Sequence, residues 1–321
     1  MRRLRPVLII FAAILALGIA VGALGAEANP LSPKQITDLL QGSVSPKRII
    51  NLIEQRGINF EPSEKALQAL KQAKANDDVL NAVRSARQVL PKELMLERHR
   101  AKAKELEGRG AAAEAEVEYR AALQIESSDA TLHAGLANVL SQQKKWEGAA
   151  AAYRQALRLK PNDAESHYQL GVALRERGDQ GGAINAWADA VKDNPNDPRP
   201  FEQLARAFAE RRDWRRAAIA YRGLARLQPN SAPAYVGLGM ALRNSADAAG
   251  ALTAYREAVR INPNDPVARN NLGFSLEEKG ELQAALEQYQ VAAQLSPQDS
   301  GIKSNFERAS QKLRRPSLVK K

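Results

Sequence analysis

The chain has 321 residues, of which 44% are hydrophobic and only 5% aromatic, and it contains no cysteine. The lack of cysteine excludes disulfides, thiolate metal sites and cysteine nucleophiles. The formal net charge is +11, but eight basic residues within the first five and last ten positions account for most of it and leave +3 for the rest. Nucleic-acid binding needs a contiguous basic track interleaved with stacking aromatics, so the sequence predicts no nucleic-acid partner.

Residues 1–28 are typical of an export segment. Three arginines precede an uninterrupted apolar run from Val7 to Leu24, and Ala26-Glu27-Ala28 offers a small-x-small cleavage site. The site favours a cleaved signal peptide, whereas the run is nearly long enough for a retained N-terminal membrane anchor. Either alternative predicts an exported protein, in the periplasm or cell envelope if it is bacterial, with the following domains on the non-cytoplasmic side. Membrane contact is expected only through this segment, if it is uncleaved, or through a basic tail at 316–321.

Residues 29–90 predict a small helical module, because groups of apolar residues recur there at helical spacing. The module either caps one end of the segment that follows or forms a separate recognition domain. The stretch at 88–97 is expected to be the joint between the two parts. The breaks between four short helices are expected at Gly42, Gly57 and Asn76.

A pattern with a period of 34 residues organises the rest of the chain, without insertion or deletion. A proline closes each copy, and an aromatic ring marks the second half. A self-similar period of this size indicates units that bury their apolar faces against neighbouring units. The prolines are Pro161, Pro195, Pro229, Pro263 and Pro297, and the rings are Tyr153, Trp187, Tyr221, Tyr255 and Tyr289.

Each copy predicts two helices joined by a polar turn. In residues 130–163, apolar positions 4, 7, 8 and 11 form one stripe of a first helix, and a second stripe follows the turn. Pro161 ends the second helix, because proline cannot continue the backbone hydrogen bonding. Asp163 can then cap the next helix, and the same Pro-Asn-Asp turn recurs at 195–197 and 263–265.

This pattern resembles that of the tetratricopeptide repeat family. The resemblance implies an all-α fold, a right-handed α-solenoid of six helix-turn-helix repeats with a small N-terminal helical module and a C-terminal capping helix. The array is expected at 91–299, followed by the capping helix at 300–315 and the basic tail at 316–321. Repeats one to six are expected at 96–129, 130–163, 164–197, 198–231, 232–265 and 266–299.

The last helix is expected to cover the open end of the array and to be capped by Ser300. Asp193 replaces an apolar residue of the other repeats and is therefore expected nearer to solvent. Glu277 and Glu278, which are adjacent to each other on a helix surface, are expected to be solvated. In the last helix, the inward residues are expected to be Ile302, Phe306, Ala309 and Leu313, and the solvent-facing ones Lys303, Asn305, Arg308 and Gln311.

His99, His133 and His167 lie 34 residues apart, a spacing that the repeat explains better than a metal site does. Equivalent residues on packed helices lie about 8–10 Å apart, too far to share one zinc ion through bonds of about 2 Å. The glycines at 178–182 follow no strand and lack a phosphate-loop lysine, so they predict a turn. Since no catalytic motif is found, the sequence predicts no metal, no cofactor and no enzymatic activity.

The resemblance implies a non-catalytic protein–protein interaction scaffold that binds an extended or helical peptide segment along the concave face of its array. The alternative is an accessory subunit that docks an envelope enzyme or a secretion or assembly machine. In both cases the partner is a protein or peptide that the sequence does not identify.

In similar proteins, positions 2, 5, 9, 12 and 13 of each first helix line the binding groove. The family's clamp for terminal carboxylates is not reproduced, because Ala134, Gln169 and Gln203 depart from it. Apolar residues among arginines suit a ligand with aliphatic anchors and some acidic groups; the open alternative is that they pack on neighbouring repeats and bind nothing. The expected groove residues are Asn138, Tyr168, Val172, Arg175, Arg199, Arg206, Val236, Met240, Arg243, Asn270 and Phe274.

Overall fold

A computed structural model describes residues 29–314, which form seventeen α-helices and no strand, apart from isolated β-bridges. The all-helical fold expected from the sequence is confirmed. The expected export segment at 1–28 and the tail from residue 315 onward lie outside the described residues. The chain divides into two compact units after Ala101, and the domain boundaries expected from the sequence stay predictions. Within 29–314, no helix combines the length and the hydropathy that are needed to cross a bilayer.

The first unit contains four short helices around a small apolar core. Ile36, Ile53 and Val79 are fully buried in this core. The side chains of Ser32 and Asn76 accept hydrogen bonds from the first turns of their helices, which satisfies backbone donors that have no partner inside a helix. The four helices are α1 (Pro33–Gln41), α2 (Pro46–Arg56), α3 (Glu64–Gln72) and α4 (Asp77–Ser85).

The stretch at 88–97, expected to be a joint, has regular structure. Ile58 forms parallel β-bridges with both Leu31 and Gln88, and a fifth helix, α5 (Lys92–Gly108), already begins within the stretch. These isolated bridges pair single residues far apart in the chain and leave no strand pattern in the sequence, so the sequence did not predict them. The role of this stretch as a joint stays a prediction.

The second unit repeats one pair of helices, called A and B, with a period of 34 residues. In repeats two to six the A helix has 13 residues and the B helix has 14. The A helices are α5, α7 (Ala130–Gln142), α9 (Ala164–Glu176), α11 (Pro198–Glu210), α13 (Ala232–Asn244) and α15 (Pro266–Glu278). The B helices are α6 (Ala112–Ile125), α8 (Trp146–Leu159), α10 (Gln180–Asp193), α12 (Trp214–Leu227), α14 (Ala248–Ile261) and α16 (Leu282–Leu295), and α17 (Ser300–Arg314) follows them.

The turns between repeats start the A helices as the sequence predicts. Asp163 accepts a hydrogen bond from the Ser166 N–H at 3.2 Å, and Asp265 accepts one from the Val267 N–H at 2.8 Å. Each carboxylate satisfies a backbone donor that would otherwise lack a partner in the first helical turn. The predicted aspartate caps at these turns are therefore confirmed.

In repeats three, five and six, the A and B helices approach closely because a ring of the B helix packs on a glycine of the A helix. A Cβ atom on Gly171 would lie 2.3 Å from Trp187 Nε1, and one on Gly239 would lie 2.6 Å from Tyr255 Cε1. Both rings are almost completely buried. Since burying a large apolar side chain contributes about 1.5–3 kcal/mol, this contact is a main source of stability in these repeats.

The last helix, α17, differs from the expectation at its start and near its end. Asp299 caps it instead of Ser300, because the Ile302 N–H donates to Asp299 Oδ1 at 3.0 Å and Ser300 is already helical. Ile302 and Ala309 are buried as expected, whereas Leu313 is 42% exposed.

Glu277 of α15, expected to be solvated, has a side chain that is only 10% exposed and holds the last helix. Its carboxylate accepts hydrogen bonds from Lys312 Nζ at 2.6 Å, Arg308 Nη2 at 3.0 Å and Tyr289 Oη at 3.0 Å. Burial raises the pKa of Glu277, but Lys312, Tyr289 and Arg308 outweigh burial and lower it below the ordinary value of 4.5. The expectation was wrong because two of the three partners come from α17, more than 30 residues further along the chain.

Replacing Ala246 with glycine is expected to stabilise the array. Ala246 occupies the turn between α13 and α14 with φ at 68°, where repeats three and six have Gly178 and Gly280. A Cβ in this left-handed region costs about 1–2 kcal/mol, which exceeds the entropic cost of a glycine, about 0.5–1 kcal/mol. The midpoint of urea unfolding should therefore rise for Ala246→Gly. The matched reverse change, Gly280→Ala, should lower it, because its Cβ would meet no atom within 4 Å and only the backbone strain would count. Shifts of the same sign in both variants would contradict this explanation.

Replacing Glu277 with glutamine is expected to loosen α17, because hydrogen bonds to a charged group contribute about 1.5–3 kcal/mol. Since folding lowers the pKa of Glu277, its contribution is complete above the ordinary value of 4.5 and is lost as the pH falls through the folded-state pKa. Urea unfolding from about pH 7 to about pH 3 should show a difference between wild type and Glu277→Gln that shrinks at low pH. The exposed neighbour Glu278, changed to glutamine, is the control. Equal effects of the two variants at every pH would contradict the prediction.

Candidate functional site

The A helices share one face that carries all eleven residues expected to line the groove. We call it the A-face and define it as positions 2, 5, 9 and 12 of α7, α9, α11, α13 and α15. Asn138, Arg199 and Arg206 are exposed, the other eight are partly buried, and none is fully buried. The A-face therefore lies between the core and the solvent, and its use as a groove stays a prediction.

Neighbouring A helices contact each other across the A-face through an arginine stacked on a ring. The Arg199 guanidinium of α11 lies over the Tyr168 ring of α9, 4.6 Å from its centroid. Arg199 Nη2 also donates to Glu165 Oε2 at 2.7 Å and to Asp197 Oδ2 at 2.6 Å. The charge of Arg199 is thus compensated by carboxylates of the array itself.

A second stacked pair joins the fifth and sixth repeats. The Arg243 guanidinium of α13 lies over the Phe274 ring of α15, 4.8 Å from its centroid. Phe274 also packs against the apolar core of these repeats. In contrast to Arg199, Arg243 forms no ion pair with a carboxylate among the described residues.

Other expected residues are bonded to groups outside the expected set. Arg206 Nη2 donates to Glu202 Oε1 of its own helix at 3.1 Å.

Asn305 of α17 was expected to face solvent. Its side chain instead reaches the A-face, so that expectation was wrong. The hydrogen bonds between helices join Asn138 Nδ2 to Glu107 Oε1 (3.3 Å), Arg175 Nη1 to Gln203 Oε1 (2.6 Å) and Asn305 Nδ2 to Asn270 Oδ1 (2.9 Å).

An open cavity of about 490 Å³ lies on the A-face side of repeats one to three. A small residue leaves this space, since Ala134 occupies position 5, where the other five repeats have larger side chains. The polar lining residues on the A helices are Lys104 and Glu107 of α5, Thr131 and Asn138 of α7, and Ser166 of α9. The expected set included only Asn138, and the small residue at position 5 is the sequence signal that could have revealed the cavity.

His167 and Asp193 form a mostly buried pair. His167 Nδ1 lies 2.8 Å from Asp193 Oδ2, and the side chains are 16% and 11% exposed. The expectation that Asp193 lies nearer to solvent was wrong, because the imidazole at position 4 of the same repeat gives the carboxylate a partner in the interior. Among the residues that the structure describes, no three His, Asp or Glu side chains gather closely enough to hold a metal ion.

Comparisons with known proteins agree with the helix-pair architecture. A family model described as TPR repeat matches residues 137–174 and 247–280, and another described as tetratricopeptide repeat matches residues 165–197. The structure is similar to that of YrrB, a TPR protein, with a TM-score of 0.52 and 22% identity over 59% of this chain and 97% of YrrB. A search of the curated proteins finds no match.

Two further solved structures are similar with lower scores. MamA (residues 41 to the end) from Desulfovibrio magneticus RS-1 has a TM-score of 0.44 and 24% identity, over 53% of this chain and 97% of that one. PilF of Pseudomonas aeruginosa has a TM-score of 0.46 and 19% identity, over 69% of this chain and 99% of PilF.

The regular A and B pairs define a repeat protein whose units are stabilised by their neighbours. Since the family models match at 137–197 and 247–280, the chain contains tetratricopeptide repeats. Such repeats are typical of protein–protein interaction scaffolds, a class that is generally non-catalytic.

Proposed function

We propose that the array binds an extended or helical peptide segment of a partner protein along the A-face. The observation that supports this proposal is that apolar residues of the A-face stay partly exposed although the core beneath them is closed. Tyr168, Met240 and Phe274 are partly buried, whereas Leu170, two positions after Tyr168, and Leu238, two positions before Met240, are buried. A ligand side chain can therefore bury the remaining apolar surface of the first three residues without disturbing the core.

The composition of the A-face favours a ligand with apolar anchors and some acidic groups. Aromatic residues, methionine and arginine are the types enriched in protein interfaces, and all three occur on the A-face. The cavity of about 490 Å³ at repeats one to three falls in the usual range of ligand pockets, about 300–1,000 Å³. YrrB, which shares this fold, is described as having an unusual peptide-binding site. We propose no enzymatic activity for the chain.

The double substitution of Tyr168 and Met240 by alanine tests this function. A displayed library of random twelve-residue peptides is selected on the immobilised full-length chain, and the enriched peptides are synthesised for affinity measurements. The double variant should bind them more than tenfold more weakly, about 1.4 kcal/mol or more, because interface anchors contribute most of the binding energy. Its unfolding midpoint should stay close to that of wild type.

The matched control is Ile219→Ala, because Ile219 is a 66% exposed apolar residue on a B helix, away from the A-face. This control should leave both affinity and stability unchanged. A double variant that unfolds earlier but binds normally would mean that Tyr168 and Met240 serve packing alone.

We also propose that the array acts outside the cytoplasm, on the basis of the three arginines and the apolar run in residues 1–28. A reporter that is active only in the exporting compartment, fused to the C-terminal end, should be active. Removing residues 1–28 is the control and should silence it. An intact but silent fusion of the full chain would refute the proposed location.

A further inference from the structure

The ring of each B helix carries a polar atom into the interior of its repeat, and this atom needs a hydrogen-bond acceptor. In the first repeat, Tyr119 Oη donates to Glu107 Oε2 at 2.5 Å, and in the sixth, Tyr289 Oη donates to Glu277 Oε2 at 3.0 Å. Both glutamates stand at position 12 of their repeats, which begin at residues 96 and 266. An A-face residue at this position is therefore placed to serve the buried ring of the same repeat.

The fifth repeat lacks this acceptor. Its ring, Tyr255, is completely buried, and its hydroxyl has no hydrogen-bond partner in the described part of the chain. Position 12 is Arg243, which has only donors, and position 9 is Met240, whose sulfur is a weak acceptor. Leaving a buried hydroxyl unpaired costs about 1–3 kcal/mol.

Arg243 is the second unsatisfied group at this point. Its guanidinium stacks on Phe274, but no hydrogen bond or ion pair to its guanidinium is found within residues 29–314. Burial raises the pKa of Tyr255 to about 12, and Arg243 acts in the opposite direction, as expected for a cation close to the hydroxyl. Two donors of the same repeat, a guanidinium and a phenol, thus both lack an acceptor among residues 29–314.

The third repeat provides the comparison. It also has an arginine at position 12, Arg175, and a buried ring atom without a partner, Trp187 Nε1. Arg175, however, already donates to Gln203 Oε1 at 2.6 Å and to Glu176 Oε1 at 2.8 Å. Only in the fifth repeat do both the arginine and the ring lack an acceptor among the described residues.

Resting on the proposed peptide-binding function, we propose that the fifth repeat is a carboxylate subsite of the A-face. A carboxylate of the bound peptide accepts hydrogen bonds from Arg243 and from Tyr255 Oη, and Met240 and Phe274 beside it contact an adjacent apolar side chain. The ligand thereby supplies the group that Glu107 and Glu277 supply in the first and sixth repeats. In the first and sixth repeats, the glutamate at position 12 reaches the ring hydroxyl of its own repeat. In the fifth repeat, position 12 is Arg243, so the ligand carboxylate reaches Tyr255 Oη alongside the Arg243 side chain.

The test starts from peptides that the full-length chain selects out of a displayed random twelve-residue library. An enriched peptide is synthesised in its acidic form, with each Asp or Glu changed to the amide, and with an amidated C-terminus. Wild type should bind the acidic form at least tenfold more tightly than the side-chain amide form. Loss of binding on C-terminal amidation instead would assign the subsite to a terminal carboxylate.

Two substitutions assign the preference to the proposed residues. Arg243→Gln should reduce the preference for acid over amide to about twofold or less, and Tyr255→Phe should reduce it severalfold. Tyr255→Phe should also keep or raise the unfolding midpoint, because it removes an unpaired hydroxyl. A role in packing alone would not change the acid preference.

Two further variants set the controls. Arg158→Gln removes an exposed arginine of the B helix α8, outside the A-face, and should leave the acid preference unchanged. Glu278→Gln should increase it, because Glu278 is a negative charge that acts on Tyr255 from the next A helix. Enriched peptides without any carboxylate preference, or a preference that survives both Arg243→Gln and Tyr255→Phe, would overturn the subsite alone. If wild type enriches no peptide at all, both the subsite and the proposed function fail.

Discussion

In repeats three, five and six, the packing of one B-helix ring on one A-helix glycine determines how closely the two helices approach. At Gly171 the ring of Trp187 leaves no room for a Cβ atom, and at Gly239 the ring of Tyr255 leaves none either. Because the ring fills the space between the helices, its polar atom also ends in the interior. The contact that stabilises these repeats therefore leaves a buried polar atom that needs a hydrogen-bond acceptor, and the A helix either supplies that acceptor or does not.

Features of the fold that depend on neighbouring residues could be predicted from the sequence. The caps at Asp163 and Asp265 involve backbone groups two or three residues away, so a turn motif suffices to predict them. The environments of Asp193 and Glu277 could not be predicted in this way. His167 lies 26 residues from Asp193 and Lys312 lies 35 residues from Glu277, and the side-chain direction across two packed helices decides whether such residues meet.

In the candidate site, too, the sequence predicts some features, whereas others depend on residues that are distant in the chain. The resemblance to the repeat family assigned eleven residues to one face, and all eleven are at least partly accessible there. The resemblance does not show which of them already have hydrogen-bond or ion-pair partners within the chain. Arg199 is neutralised by two carboxylates, whereas Arg243 has none among the described residues, although both are arginines stacked on a ring. This difference needs the positions of acidic side chains on adjacent helices, which the repeat pattern leaves variable.

The variation at position 12 relates stability to binding within one architecture. Glu107 and Glu277 complete the hydrogen bonding of their own repeats, so these two positions are occupied internally and offer little to a ligand. Arg243 leaves Tyr255 unpaired, and a chain selected for stability alone would gain from phenylalanine at that ring or from glutamate at position 12. Proteins retain such local costs mainly where function requires them. In a repeat array, all units share the same helix-pair architecture. A unit whose polar side chains find no hydrogen-bond acceptor within the array therefore keeps those side chains available to a partner protein.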